Sequence, residues 1–149
     1  GPLINNRQAA NVKNQLDDAV AKGAKIAIGG GVNGRFVEPT IVTNVTTDME
    51  IWRDETFGPV AVVVPFRTDA EAVAMNNDTE YGLSGYISGE PAHAQQIALQ
   101  IRTGMVHING APLDISAPFG GYKKSGNGRE WGLEGFEEYL ETKAMMGAA

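Results

Sequence analysis

Residues 60–66 read Val-Ala-Val-Val-Val-Pro-Phe, a short apolar run without polar alternation. Such a run is typical of a strand that is buried on both faces, as the strands of parallel sheets are. Thr68 and Glu71 follow it as a capping-box pair, which predicts a helix through Asn76. The next apolar stretch, residues 83–88, predicts another strand. This strand–helix–strand order favours a mainly parallel sheet with helical connections.

The same alternation extends from this stretch to both ends of the chain. Apolar residues at helical spacing predict a helix over residues 6–22, which Gly23 ends, and a second helix that begins at Pro91 and ends before Gly104. The remaining predicted elements are strands at 25–28, 36–45 and 105–109, one or two helical turns at 48–54, an amphipathic stretch at 130–140 and a further strand at 139–146. Together they predict a three-layer α/β/α domain.

Composition and charge exclude several classes of protein. The chain has 149 residues, of which 42% are hydrophobic and 20% charged, a balance that suits one globular domain or part of a larger one. A net charge of −6 leaves no basic surface for nucleic acid. No apolar run reaches the ~18 residues that a membrane span needs. Because no export signal is visible either, we expect a cytoplasmic protein.

The chain contains no cysteine, which excludes disulfides, thiolate metal sites and a thiol nucleophile within it. His93 and His107 lie too far apart in sequence to indicate a helical pair of metal ligands, so we expect no zinc site. The first residue is Gly1 rather than methionine, which is consistent either with a protease scar from a tag or with a chain that begins within a longer protein.

Two glycine-rich stretches match nucleotide-binding motifs only superficially. Gly29, Gly31 and Gly34 fit the dinucleotide pattern, but that pattern requires a helix, and the strand-like residues 35–40 follow instead. We therefore expect a turn between strands. Residues 120–126, Gly-Gly-Tyr-Lys-Lys-Ser-Gly, lack a glycine directly before the Lys-Ser pair and precede no long helix, so they do not form a Walker site.

Five sequence blocks are informative when they are taken together. They are Gly-Pro-Leu-Ile at 1–4, Phe-Val-Glu-Pro-Thr at 36–40, Glu-Thr-Phe-Gly-Pro-Val at 55–60, Tyr-Gly-Leu-Ser at 81–84 and Pro-Phe-Gly-Gly-Tyr-Lys at 118–123. Each block alone is only a loop near a strand end. In this order and spacing, essentially the whole chain resembles the C-terminal part of an NAD(P)-dependent aldehyde dehydrogenase.

This resemblance implies an enzyme that oxidises an aldehyde to a carboxylate with NAD or NADP, through a cysteine thiohemiacetal and a thioester. The nucleophile of that family lies upstream of the residues present here, so the isolated chain should be inactive. Residues 1–136 would be the C-terminal part of a catalytic domain of the aldehyde dehydrogenase type. Residues 137–149 would be an oligomerisation strand and tail that joins a neighbouring subunit of a homodimer or homotetramer.

The resemblance also assigns cofactor contacts. Glu55 matches a glutamate that binds the hydroxyls of the nicotinamide ribose, a role that suits the two oxygens of a carboxylate. Phe57 matches an aromatic residue beside that ribose, and Leu83 a leucine near the nicotinamide ring. Without the resemblance, Glu55 would be interpreted as a helix-end or surface carboxylate, and Phe57 and Leu83 as core residues.

Substrate and catalytic positions follow in the same way. Phe119 matches an aromatic residue of the substrate tunnel, and Leu113, Asp114 and Ile115 occupy the variable loop at the tunnel mouth, which is one residue shorter here than in some relatives. Glu130 matches a second glutamate, proposed to relay protons during thioester hydrolysis. Its simpler interpretation is a carboxylate favoured by the dipole at a helix N-terminus.

Two alternatives to a hydrolytic aldehyde dehydrogenase remain at this stage. One is a non-catalytic interaction module that keeps the fold for oligomerisation alone, although such a module would need neither Glu55 nor Glu130. The other is a thioester-forming or semialdehyde-specific relative. The identity of the aldehyde and the choice between NAD and NADP are not encoded in these residues.

Overall fold

The structure, a computed structural model, describes residues 1–147. The chain forms two compact units, the first ending at Phe66 and the second beginning at Arg67. Both units combine helices with short strands. Within the described residues, no helix is both long and apolar enough to cross a membrane.

The first unit packs one long helix against a small sheet. Its elements are α1 (Asn6–Ala21), β1 (Lys25–Ile28), β2 (Val32–Asn33), β3 (Phe36–Val37), β4 (Thr40–Thr43), α2 (Glu50–Arg53) and β5 (Val60–Val63). The sheet has the order β1-β4-β5, in which β4 pairs antiparallel with β1 and parallel with β5. The β2–β3 pair forms a separate antiparallel hairpin.

The core of the first unit is the apolar stripe that the sequence predicted on α1. Val12, Leu16 and Ala19 are buried there and belong to one cluster with Val42 of β4 and Met49. These helix positions recur every three or four residues, which places them on one face of the helix. Burial of this stripe therefore fixes α1 on the sheet.

Both ends of α1 follow the local sequence. Asn5 accepts a hydrogen bond from the backbone N–H of Gln8 through its side chain, as an N-cap does. At the other end Gly23 adopts φ +102°, and its N–H donates to the carbonyl of Val20. A glycine in this conformation commonly ends a helix because it has no Cβ to clash. The prediction that Gly23 ends the helix is confirmed.

The second unit contains a parallel strand pair joined by a helix. Its elements are α3 (Asp69–Asn77), β6 (Ser84–Ile87), α4 (Pro91–Ala98), β7 (Met105–Ile108), a 3₁₀ turn (Lys123–Ser125) and α5 (Gly132–Glu137). β6 pairs parallel with β7, from Ser84 opposite Met105 to Ile87 opposite Ile108. Thr68 caps α3 by accepting a hydrogen bond from the N–H of Glu71. The predicted N-cap and the strand–helix–strand order are thus confirmed. The Glu71 carboxylate, however, accepts from the N–H of Arg67 at 2.7 Å rather than from that of Thr68, so the reciprocal half of the predicted capping box is displaced by one residue.

Three predictions about strands need correction. β5 ends at Val63, which is 50% exposed, so the run at 60–66 is not buried on both faces in this chain; β5 is an edge strand of its sheet. The predicted strand at 36–45 is two short strands separated by Glu38 and Pro39, because proline has no N–H for a sheet ladder. Residues 141–147 have no helix or strand in this single chain.

The glycines at 29–34 connect strands, as the sequence predicted. Gly29 follows β1 with φ +73°, and a Cβ built on it would lie 2.2 Å from the carbonyl oxygen of Pro39. Gly34 lies between β2 and β3 with φ +57°. Strands rather than a helix follow the motif, so the feature that a dinucleotide fingerprint requires is missing here.

A Gly23→Ala substitution should lower the free energy of unfolding by about 1 kcal/mol, because the new Cβ would be strained at a positive φ. No atom lies within 4 Å of the position that this Cβ would take, so the backbone conformation alone is tested. The matched control is Gly89→Ala, where the surroundings are equally open and φ is not positive. Urea unfolding should show little change for the control. Equal losses in the two variants would contradict this account of the helix end.

Candidate functional site

In the first unit, the candidate cofactor residues lie on the loop between α2 and β5. Glu55 is exposed and Phe57 is 70% exposed, so the interpretation of Phe57 as a core residue is wrong for this chain. Phe57 also has φ +44°, a left-handed conformation that a bulky residue rarely adopts. The structure therefore holds this aromatic side chain exposed at the surface of the first unit.

Helix α1 holds this loop at several points. The side-chain amide of Gln8 donates to the carbonyl of Thr56 at 2.8 Å and to that of Phe57 at 3.2 Å. A Cβ built on Gly58 would lie 2.7 Å from a methyl carbon of Val12, so only glycine fits there without movement. The loop that carries Glu55 is therefore anchored to the best-buried helix of the unit.

In the second unit, two loops meet through backbone hydrogen bonds at Gly82. Its carbonyl accepts from the N–H of Gly104 at 3.0 Å and of Tyr122 at 2.8 Å. The hydroxyl of Ser125 accepts from the N–H of Gly82 at 2.9 Å. A Cβ on Gly104 would lie only 1.7 Å from the carbonyl oxygen of Gly120. The close approach of these segments therefore requires glycine.

A lysine strengthens this junction. The Lys123 ammonium donates to the carbonyls of Asn77 and Thr79, at 2.9 Å each. Asn77 is the last residue of α3, where unpaired carbonyls favour a cation. The neighbouring Lys124 instead forms an exposed ion pair with Glu80. The Lys123 side chain thus connects the 3₁₀ turn to the end of α3, whereas Lys124 bonds Glu80 through this ion pair and through its backbone N–H, which donates to the Glu80 carbonyl at 2.9 Å.

Leu83, Phe119 and Glu130 lie together. Phe119 and Glu130 exchange two backbone hydrogen bonds of 2.7 Å each, and all three residues line one cleft of about 280 Å³ with Arg129 and Glu138. Leu83 is 42% exposed, so its side chain is open to this cleft. The spacing of the sequence blocks therefore brings a cofactor candidate, a substrate candidate and a catalytic candidate to one place.

The tunnel-loop candidates lie at a second cleft. Leu113 and Asp114 line a cleft of about 290 Å³ together with His107 and Trp131. Ile115 is exposed and is not among the residues that line this cleft. The structure thus brings two of the three predicted loop residues together and leaves the third outside.

Trp131 and His107 were not predicted as residues of this cleft. The ring of Trp131 packs against that of Phe119, with centroids 4.9 Å apart. His107 is buried, donates from Nδ1 to the carbonyl of Ala111 at 2.8 Å and stacks on Tyr86. An aromatic residue directly after Glu130 was the available sequence signal for Trp131.

Asp114 is held as an anion at this cleft. The Ser116 hydroxyl, which donates at 2.6 Å, and the Ser116 N–H, which donates at 2.9 Å, lower the pKa of the Asp114 carboxyl below its ordinary value. Both donors stabilise the charged form, and they outweigh the small opposing effect of burial. The loop therefore presents a negative charge at neutral pH.

The candidate residues are divided between the two units. Glu55 and Phe57 belong to the first unit, whereas Leu83, the loop residues 113–115, Phe119 and Glu130 belong to the second. Among the described residues, no group of three or more acidic or histidine side chains is placed to hold a metal ion.

Replacing Lys123 with methionine should destabilise the second unit by about 2 kcal/mol, because two backbone carbonyls at the end of α3 would lose a charged donor. Lys124→Met is the matched control. It removes the same charge from the next residue, whose ion pair with Glu80 is exposed, and it should have no measurable effect. Urea unfolding of the two variants checks this. Similar behaviour of the two lysines would show that the Lys123 contacts contribute nothing specific.

Comparison with known proteins identifies the family. Residues 1–145 match the model of the aldehyde dehydrogenase family. The chain is 51% identical to 3-succinoylsemialdehyde-pyridine dehydrogenase from a Pseudomonas species, over 99% of this chain and 32% of the relative. It is 47% identical to the mitochondrial succinate-semialdehyde dehydrogenase of Mus musculus, over 96% of this chain and 28% of the relative. The chain thus spans less than a third of the length of these relatives.

Solved structures agree with this match. A Mycobacterium tuberculosis aldehyde dehydrogenase complexed with NAD⁺ superposes with a TM-score of 0.86 and 40% identity, over 93% of this chain and 30% of that one. A succinic semialdehyde dehydrogenase from Streptococcus pyogenes in complex with NADP⁺ gives a TM-score of 0.86 and 37% identity, over 94% and 32%. The predicted α/β fold class is confirmed. The chain belongs to the aldehyde dehydrogenase family.

Proposed function

We propose that this chain is the C-terminal part of the catalytic domain of an enzyme that oxidises an aldehyde to a carboxylate with NAD or NADP. The observation that carries the proposal is the cleft of the second unit, where Leu83, Phe119 and Glu130 come together. A module used only for assembly would need no carboxylate beside an open leucine and an aromatic ring. The named relatives, which are dehydrogenases of semialdehydes, support the same reaction class.

The nucleophile of the proposed reaction lies outside this chain. The sequence contains no cysteine, so no thiohemiacetal or thioester can form on these residues. The relatives are more than three times as long as the part that this chain matches, which leaves room for a nucleophile-bearing segment. Residues 1–147 then supply binding and proton-transfer groups to a reaction whose covalent step occurs elsewhere.

The first unit fits a nicotinamide cofactor. Glu55 is an exposed carboxylate on an anchored loop, and its two oxygens can accept hydrogen bonds from the two hydroxyls of a ribose. Phe57 presents an exposed ring beside it, which suits contact with the sugar face. A nicotinamide cofactor held there would supply the acceptor for the hydride of the substrate carbon. The chain's own residues hold and orient its ribose.

The second unit contributes to proton transfer and to substrate contact. Glu130 is exposed at the cleft, and its backbone is fixed by Phe119, so its carboxylate can relay a proton to or from water. The ring of Phe119 and the loop residues Leu113, Asp114 and Ile115 would form the entrance for the aldehyde. The Asp114 carboxylate makes that entrance acidic.

Assembly of the complete enzyme would use the tail. We propose that residues 137–149 are an oligomerisation strand and tail, in which residues 139–146 pair as a strand with a neighbouring subunit of a homodimer or homotetramer. Met145 and Met146 are exposed in this chain, and residues 141–147 have no strand partner within it. An extended segment without internal hydrogen bonds can gain them by joining an exposed sheet edge.

The decisive experiment compares the 149-residue chain with a joined enzyme, in which residues 1–145 replace the matching C-terminal segment of the Pseudomonas relative. The chain alone should produce no NADH with any aldehyde, whereas the joined enzyme should produce it with the relative's own substrate. NADH production by the purified chain alone would overturn the proposed position of the nucleophile. A folded but inactive joined enzyme would overturn the proposed function.

Within the joined enzyme, Glu55→Gln should raise the KM for the cofactor by about tenfold or more, because neutral acceptors form weaker hydrogen bonds than a carboxylate. Asp54→Asn removes the same charge from the adjacent residue and should change that KM by less than about twofold. Steady-state kinetics with varied cofactor concentration measure both effects. Equal effects at the two positions would show that only the local charge matters.

A further inference from the structure

We propose that Gln15 of helix α1 is a positioning residue for the cofactor loop, residues 54–58, and that it acts through the hydroxyl of Thr56. This inference rests on the proposed function, since it takes Glu55 and Phe57 as the cofactor contacts. Neither Gln15 nor Thr56 touches the cofactor in this proposal. They fix the backbone between the two residues that do.

Gln15 is a polar residue in an apolar core. It is only 2% exposed and lies between Val12 and Leu16 in the buried stripe of α1. Burying a side-chain amide costs free energy unless it is hydrogen-bonded. Its Oε1 accepts a hydrogen bond of 2.7 Å from the hydroxyl of Thr56, a residue 41 positions away in sequence. A leucine or methionine would avoid this cost, so the hydrogen bond from Thr56 accounts for a polar oxygen at this buried position.

The hydrogen bond is one of three contacts that run along a single face of α1. Gln8, Val12 and Gln15 are spaced by four and three residues, which places their side chains in one row. Gln8 donates to the carbonyls of Thr56 and Phe57, and Val12 lies against Gly58. Three successive loop residues are thus held at three successive points of one helix.

This loop has a particular need for such contacts. The φ of Phe57 is +44°, and a non-glycine residue keeps a left-handed backbone only where its surroundings impose it. The Phe57 side chain is exposed, so core packing does not impose it. The contacts to α1 remain as the constraint, and they determine the directions in which Glu55 and Phe57 point.

The expected consequence is specific to the cofactor. A loop that is already ordered loses little conformational freedom when the cofactor binds, whereas a loosened loop must be ordered at that moment. Removal of the Gln15–Thr56 hydrogen bond should therefore weaken cofactor binding. It should leave the aldehyde entrance, which lies on the second unit, unchanged.

The test uses the joined enzyme and begins with Thr56→Val, which keeps the shape of the side chain and removes the hydroxyl. We expect the KM for the cofactor to rise about tenfold, with kcat and the KM for the aldehyde changed by less than about twofold. Thr56→Ser, which keeps the hydroxyl, should have the same KM for the cofactor as the unsubstituted joined enzyme. Gln15→Met should reproduce the effect, and the double variant should be no worse than either single variant.

Leu16→Ala is the control for a purely structural role. Leu16 is buried next to Gln15 on α1 and has no polar group to hydrogen-bond the loop, so its truncation should lower the melting temperature without raising the cofactor KM. An equal rise in that KM for Leu16→Ala would overturn the inference, because general loss of stability would then explain it.

Amide hydrogen exchange on the 149-residue chain gives a readout that does not depend on activity. Thr56→Val should accelerate exchange at residues 55–58 more than within α1, and unchanged exchange there would overturn the inference. The two proposals also fail differently. If Glu55→Gln raises the cofactor KM and Thr56→Val does not, the positioning role is wrong and the proposed function stands. If neither does, the cofactor role of Glu55 fails, and the inference fails with it.

Discussion

The backbone of Gly82 is the constraint on which the cleft of the second unit depends. Its carbonyl accepts two hydrogen bonds from separate segments, and its N–H donates to the hydroxyl of Ser125. A Cβ there would lie 2.6 Å from the carbonyl oxygen of Arg102, so a side chain would force the segments apart. Backbone groups cannot be moved by rotamer changes, and the positions of Leu83 and the Phe119–Glu130 bridge follow directly from this junction.

In the first unit, side chains of α1 hold the loop that carries the candidate residues. Its candidate loop is held by the amides of Gln8 and Gln15 and by the packing of Val12 under Gly58. Each unit combines side-chain hydrogen bonds with a glycine whose surroundings leave little room for a Cβ. These are Gln8 and Gln15 with Gly58 in the first unit, and Ser125 and Lys123 with Gly82 in the second. Loss of one of these polar side chains, or added volume at one of these glycines, should therefore disturb the candidate residues of the unit concerned.

Local features were predictable from the sequence because local interactions determine them. The capping pair Thr68 and Glu71 and the terminating Gly23 act within a few residues, and their helices are as predicted. The burial of β5 was not predictable, since an apolar run does not specify how many neighbours its strand will have. Residues 141–147 show the same limitation, because a strand exists only with a partner to pair with.

The same distinction between local and distant interactions separates the candidate residues that the sequence predicted from those that it did not. Leu83 and Phe119 could be named as candidates because they lie within short blocks whose spacing is characteristic of a family, and Glu130 because it follows the last of these blocks. Gln15 could not, because its partner lies 41 residues away and nothing near it in sequence refers to Thr56. A weak signal was present: Gln15 is a glutamine on the buried face of an otherwise apolar helix stripe. A polar residue in such a stripe indicates a distant hydrogen-bond partner, even when the sequence does not identify it.

The exposed apolar groups of the candidate site are informative about the proposed function. Phe57 combines a strained backbone with a side chain that is 70% exposed, so its conformation contributes neither core burial nor local stability. Leu83 is likewise open to a cleft rather than packed in a core. The chain spans less than a third of the length of its relatives, so either the rest of the polypeptide or the cofactor proposed above can cover these apolar surfaces. For Phe57, the proposed nicotinamide ribose would provide this cover, with the Glu55 carboxylate on the same loop as the acceptor for its hydroxyls.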